Sequence, residues 1–185
     1  VPVDDYRSRL GDGVKGMRFG LLRGMFEQDV HPEILSAVNE AAASLRSLGA
    51  EVEETDIGVT RELSNRGFRA VFAETHSIHG DNWVKRPQDF GSDMQRILQV
   101  PLPDARAVSD ALIAAGELRA LCQSALDRYD ALLAPTLMVL SPLIGGSTII
   151  VNGKEVTDTG LLATLTMPFN LARLPVLSLP CGFSQ

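Results

Sequence analysis

Side chains able to ligate a metal gather once in this sequence, at Glu74, His76, His79 and Asp81. A metal site needs ligands that converge on one point. On a helix His76 and His79, three apart, are neighbours, while Glu74 points elsewhere. The usual helical zinc pair is four apart, with a third ligand further along. The cluster therefore reads as a polar, partly solvated helix end, and no metal is assigned. Ser178 and Cys181, within Val176-Leu-Ser-Leu-Pro-Cys-Gly-Phe183, are the side chains to weigh as nucleophiles. A nucleophile needs an adjacent base. The sequence assigns none, and Pro180 with its apolar flanks favours structural roles for both. Arg96, in a stretch read as a short helix, reads on its own as a solvated surface cation. Thr136 closes the run Ala131-Leu-Leu-Ala-Pro-Thr136, which reads as a strand. Ligands of open α/β sheets bind beyond the carboxyl ends of strands, so Thr136 and the loop 137–146 are expected beside a pocket.

The elements that must position these residues follow from periodicity and punctuation. Residues 1–16 read as a polar linker. Met17 to Arg23 is a strand between Gly16 and Gly24. Pro32 suits the first turn of a helix, and Ile34, Leu35, Val38, Ala41, Ala42, Leu45 and Leu48 then recur at helical spacing. Gly49 stands where a left-handed cap ends that helix. Ala50 to Asp56 is a second strand, completing a β-α-β unit over 17–57. Helix N-termini attract anions, but the glycines here do not form a nucleotide loop.

Residues 61–80 are predicted helical, with Phe68, Val71, Phe72 and Ile78 inward, followed by a loop from Gly80 to Asp89. A short helix is expected over 90–100. A long helix opens at the N-cap Asp104 and reaches about Tyr129, its inner face marked by Val108, Leu112, Ala115, Cys122, Ala125, Leu126 and Tyr129. Asn152-Gly153 joins two short runs over 147–156 as a type I′ hairpin. Leu161 to Met167 is read as a helix stopped by Pro168, and Val176 to Leu179 as a strand buried on both faces. The expected class is α/β, a mixed sheet covered by helices, with 58–185 supplying a helical region and closing strands.

Composition sets outer limits. The net charge is −6 over 185 residues, with 45% hydrophobic and 22% charged residues. An acidic body does not attract nucleic acid or an anionic membrane, so neither is expected as a partner. No apolar run reaches membrane-span length. Cys122 and Cys181 are read as buried free thiols of a cytoplasmic protein, with a disulfide between them as the alternative.

Three motifs in order resemble the amidase signature family. Thr166-Met-Pro-Phe-Asn-Leu-Ala-Arg-Leu-Pro-Val-Leu-Ser-Leu-Pro-Cys-Gly-Phe183 is similar to its C-terminal signature. Tyr129-Asp-Ala-Leu-Leu-Ala-Pro-Thr136 followed by Ser141-Pro-Leu-Ile-Gly145 resembles a second family block. Asp5-Tyr6 with Gly13-Val-Lys-Gly-Met-Arg-Phe-Gly20 is similar to the linker and strand that follow the family's catalytic part. The resemblance implies the C-terminal part of the amidase signature fold and a parent enzyme that cleaves carboxylic amides through a Ser–Ser–Lys acyl-enzyme. It implies no cofactor, and a small-molecule amide as substrate of the parent.

The catalytic Ser–Ser–Lys set is not in these residues. The lysines are Lys15, Lys85 and Lys154, none in the family's context, and Gly145-Gly146-Ser147 runs straight into a strand pattern. The chain is therefore expected to be an internal-to-C-terminal piece, inactive alone, that supplies scaffold and pocket wall. It would carry no catalytic residue, and Arg96, Thr136 and Met167 would line the substrate pocket. In the glutamine-using amidotransferases of the family an arginine near Arg96 binds the glutamine carboxylate, and an aspartate stands where this chain has Ala163. That departure favours a general amidase over an amidotransferase. Arg173 replaces a usual glycine, and Leu137-Met-Val-Leu140 suits a hydrophobic amide. The competing reading is a non-catalytic α/β module that associates, or forms homo-oligomers, through an exposed sheet edge.

Overall fold

A computed structural model of the chain describes residues 5, 7–8, 10–146, 148–156 and 159–184. Tyr6 of the first motif, Ser147 at the start of the hairpin run and Gln185 lie outside the described residues. The chain divides into two compact units, Val1–Ile57 with Gln123–Leu165 and Leu177–Gln185, and Gly58–Cys122 with Thr166–Val176.

The first unit is built on a parallel sheet. Strand β1 (Arg18–Leu22) leads to helix α1 (Pro32–Ser47) and strand β2 (Glu51–Thr55), so the β-α-β unit forms as its pattern requires. Pro32 sits in the first turn of α1, where no N–H partner is needed, and Nδ1 of His31 accepts from the Glu33 N–H at 3.3 Å. Gly49 ends α1 at φ +90°, a left-handed conformation that glycine adopts without a Cβ penalty. Strand β3 (Ala131–Leu133) adds to the other side of β1, giving the order β2-β1-β3, parallel throughout. Leu21, Leu22 and Phe26 are almost fully buried around the central strand. Gly20 is required there, because a Cβ would stand 2.8 Å from the Tyr129 ring. Among the described residues, antiparallel pairing is confined to a separate hairpin of β4 (Ile149–Val151) and β5 (Lys154–Val156). Its turn residues Asn152 and Gly153 both have positive φ, as a type I′ turn needs.

The second unit is helical. Helix α2 (Arg61–Lys85) starts at Thr60, whose hydroxyl accepts from the Leu63 N–H at 3.1 Å. It runs on through the expected loop at Gly80, and only Pro87 ends it, by opening a 3₁₀ turn over Pro87–Asp89. Its buried residues are Ser64, Gly67 and Ala70, not the larger side chains expected, and Ile78 is exposed. Small residues let backbones approach: a Cβ on Gly67 would lie 3.0 Å from Leu171 and 3.6 Å from the Ala115 nitrogen. Helix α3 is Ser92–Gln99 and helix α4 is Ala105–Leu126. Asp104 caps α4 as expected, accepting from the Ala107 N–H at 2.7 Å. The inner face of α4 carries Ala111, Ala114, Leu118, Cys122 and Ala125, while Leu112 is 53% exposed. The helix is thus rotated from the face its larger residues suggest, because close packing selects its alanines.

Helix α5 (Met167–Ala172) corrects the reading of Pro168. The proline stands inside the first turn, where it starts a helix and does not stop one. A 3₁₀ stretch, Thr159–Ala163, precedes it in place of the expected helix. Arg173 caps α5 at φ +55°, the left-handed position that a glycine would occupy more cheaply. The expected buried strand at 176–179 does not form. Val176, Leu177 and Leu179 are exposed, and no ladder joins them to another strand among the described residues. Pro175 and Pro180 remove donors at both ends of the run, leaving little backbone with which to enter a sheet.

Candidate functional site

All three strands of the first unit end on the same side, since every pairing is parallel. From β1 the chain passes to β2 on one flank and later returns to β3 on the other. The switch point therefore lies between β1 and β3, where crevices of open sheets form. The end of β1 supplies Arg23 and Gly24, the end of β2 Asp56, and the end of β3 Pro135 and Thr136. The Arg23 N–H donates to Thr55 O at 2.9 Å, which locks the ends of β1 and β2 together. Gly24 has φ +68°, a left-handed conformation that favours glycine, and a Cβ there would also meet the end of the Asp56 side chain at 2.6 Å.

The Arg23 side chain is largely buried and donates to Glu27 at 2.9 Å, to Asn39 at 3.2 Å and to Glu54. The hydrogen bond from Arg23 holds the Glu54 carboxyl below its usual value, and in turn the Arg23 pKa is raised. This network fastens β2 and α1 to the rim through the two terminal nitrogens of the guanidinium, while its buried Nε has no hydrogen-bond partner.

At the end of β3 the Thr136 and Ser178 hydroxyls lie 3.2 Å apart, close enough for a hydrogen bond. Four residues on, Gly182 lies against α1, where an added Cβ would come within 3.2 Å of Ala37. The C-terminal segment thus passes along the carboxyl end of the sheet from β3 to α1. Pro135 is buried beneath it, and Met138 and Val139 of the loop after β3 are buried too. The Met138 carbonyl accepts from the His31 N–H at 2.7 Å, which fixes that loop to the start of α1. Chemically, this rim offers two hydroxyls that donate to or accept from a polar group such as an amide. Neither hydroxyl bonds a His, Lys or carboxylate among the described residues, so neither has a base.

Sequence reasoning placed Thr136 at a strand end, and the rim is there. It missed the pairing with Ser178 because the contact spans 42 residues and no local pattern encodes it. Arg96 lies on α3, exposed and paired with Asp93 one turn earlier. Met167 is buried at the start of α5. Helices α3 and α5 both lie against α2. The metal-like cluster is resolved by local bonds. His76 Nδ1 is 2.8 Å from Phe72 O and its Nε2 is 3.2 Å from Leu98 O, so both nitrogens face carbonyls. His79 packs edge-on against Phe90. No group of three or more potential ligands converges among the described residues. Cys122 is buried, and its burial pushes the thiol pKa up. Cys181, expected to be buried, is exposed, because the segment carrying it enters no sheet.

A parallel sheet with a crossover helix between its first two strands defines an α/β protein. The chain belongs to the amidase family, whose model, described as Amidase, matches residues 1–185. It is 32% identical to an amidase of Pseudomonas putida, over all of this chain and 40% of that protein. It is 30% identical to the glutamyl-tRNA(Gln) amidotransferase A-subunit of Moorella thermoacetica, over all of this chain and 42% of that protein. Among solved structures, one from a vestigial protein complex related to the origins of an s-triazine catabolic enzyme aligns with a TM-score of 0.75 and 27% identity, covering 89% of this chain and 35% of that one. The chain spans about two-fifths of the length of the curated relatives it matches. No described helix is long and apolar enough to cross a membrane.

Proposed function

We propose that this chain is the scaffold and pocket wall of a cytoplasmic amidase that hydrolyses a small carboxylic amide through a Ser–Ser–Lys acyl-enzyme. The match of the family model over residues 1–185 carries the reading. These residues hold no Ser–Ser–Lys set, so the chain by itself is inactive. A neutral lysine takes a serine proton in such chemistry, and backbone N–H groups hold the oxyanion. Thr136, at the carboxyl rim of the first unit, faces the substrate in this reading. Ala163 stands where the family's glutamine-using amidotransferases carry the aspartate for a glutamine ammonium, which favours a general amidase. Without that carboxylate an α-ammonium would be buried unpaired.

The test is intact-mass analysis of the folded chain after a fluorophosphonate probe. No adduct is expected; a stoichiometric adduct would show a nucleophile in these residues and sink the reading. The second reading, an association module working through its own sheet edges, draws on β2 and β3, which are the edge strands of the sheet among the described residues. It requires a concentration-dependent oligomer of this chain alone.

A further inference from the structure

The hairpin of β4 and β5 turns on Asn152-Gly153, and this pair has a chemistry of its own. Val151 and Lys154 are paired across the ladder, so these two residues are the whole turn. Both are exposed, and nothing lies within 4 Å of the point where a Cβ on Gly153 would stand. The other asparagines, Asn39, Asn65, Asn82 and Asn170, stand inside helices and are followed by Glu40, Arg66, Trp83 and Leu171. A side chain on the following residue screens its backbone nitrogen, and a helix holds that nitrogen away from the asparagine amide. Asn152 has neither protection, and asparagine is among the thermolabile residues. The same side chain anchors the hairpin. Asn152 Nδ2 donates to Asp29 Oδ1 at 2.6 Å, across 123 residues of sequence. Asp29 lies in the connection from β1 to α1, two residues before His31. Asp29 and Asn152 both have left-handed backbones, at φ +60° and +51°, which their residue types tolerate better than most.

We propose that Asn152 is a self-acting modification site, where deamidation cuts the hairpin loose from the connection between β1 and α1. The Gly153 nitrogen attacks Cγ of Asn152 and forms a C–N bond. The Cγ–Nδ2 bond breaks, and Nδ2 leaves as ammonia with the proton from Gly153. Water then opens the succinimide ring at either carbonyl, giving aspartate or isoaspartate. Water is the one co-reactant, and nothing is oxidised or reduced. Aspartate keeps the turn, since it also accepts a left-handed backbone. It replaces the donor to Asp29 with a second carboxylate, which when ionised has no hydrogen to give. Two carboxylates at that range repel, so the anchor becomes a point of separation. Isoaspartate adds one carbon to the main chain of a two-residue turn, and the register of β4 against β5 depends on that length. The change reaches beyond the hairpin, because the loosened connection leads to the His31 N–H that holds Met138 O in the loop after β3.

The first arm of the test is prolonged incubation of the folded chain at mildly alkaline pH, with peptide mapping across every asparagine. Aspartate and isoaspartate are expected at Asn152 ahead of the other four positions. Asparagine kept intact at Asn152 in the folded chain, while the urea-unfolded chain converts, would overturn the proposal. The second arm reads the consequence in Asn152→Asp and Asn152→Gly. Both residues accept the left-handed backbone, so the turn forms in each. Trypsin cleavage after the exposed Lys154 is expected to speed up several-fold in Asn152→Asp. It should speed up less in Asn152→Gly, which loses the bond to Asp29 but gains no charge. Adding Asp29→Gly to Asn152→Asp should bring cleavage back to the Asn152→Gly rate. Equal cleavage of the native chain and Asn152→Asp would overturn the proposal by showing that the hairpin is held without this anchor.

Discussion

The Thr136 and Ser178 hydroxyls meet at 3.2 Å, joining the end of β3 to a segment 42 residues later. The contact is exposed, so its net worth is at the low end for a hydrogen bond, about 0.5 kcal/mol. Thr136→Val is therefore expected to leave the urea midpoint nearly unchanged. Its effect is local: proteolytic cleavage near Leu177 and Leu179 should accelerate several-fold, because the anchor of that segment is gone. An unchanged cleavage rate would show that Gly182 against α1 holds the segment by itself.

Gly20 shows how little room the central strand has. A Cβ there would sit 2.8 Å and 3.0 Å from two Tyr129 ring atoms and 3.0 Å from Leu132. Tyr129 is buried, so its ring has nowhere to swing. Gly20→Ala should cost about 1–3 kcal/mol by overpacking, read from urea unfolding.

Two helical glycines predict the opposite sign. Gly80 in α2 and Gly116 in α4 have no atom within 4 Å of an added Cβ. Each lies in a helix interior, where alanine is better than glycine by about 0.8–1 kcal/mol. Gly80→Ala and Gly116→Ala should each raise the melting temperature, and their effects should add, being on separate helices.

Two carboxylates set the acid limb of stability. Arg23 holds Glu54 below its usual pKa and Arg66 does the same for Asp110, chiefly through side-chain hydrogen bonds. A carboxyl depressed in the folded state stabilises it above the unfolded value of about 4, and that stability is lost as pH falls further. Arg23→Met or Arg66→Met should therefore flatten the fall in stability below about pH 4, measured by urea unfolding across pH.

Cys122 acts at the other end. Burial raises its thiol pKa, so the folded chain keeps the proton after the unfolded chain has released it, above about pH 8.5. Stability should fall as pH rises through that range, and Cys122→Ala should reduce the slope while costing on the order of 1 kcal/mol at neutral pH. In the native chain Cys181 should react with a thiol reagent and Cys122 should not.

By itself the sequence determined what depends on neighbours a few residues apart. The β-α-β unit, the cap at Asp104, the left-handed stop at Gly49 and the Asn152-Gly153 turn all follow from local chemistry. Three motifs in order were enough to indicate the family to which the chain belongs. Only the tertiary structure decided which helical faces turn inward. In α2 and α4 close approach selected Gly67, Ala70, Ala111 and Ala114 over larger side chains, because packing depends on the partner surface and not on hydrophobicity alone. The same holds at the carboxyl rim. The apolar run at 176–179 reads as a core strand, yet a strand needs a neighbour with free backbone groups, and its prolines and its position leave it exposed.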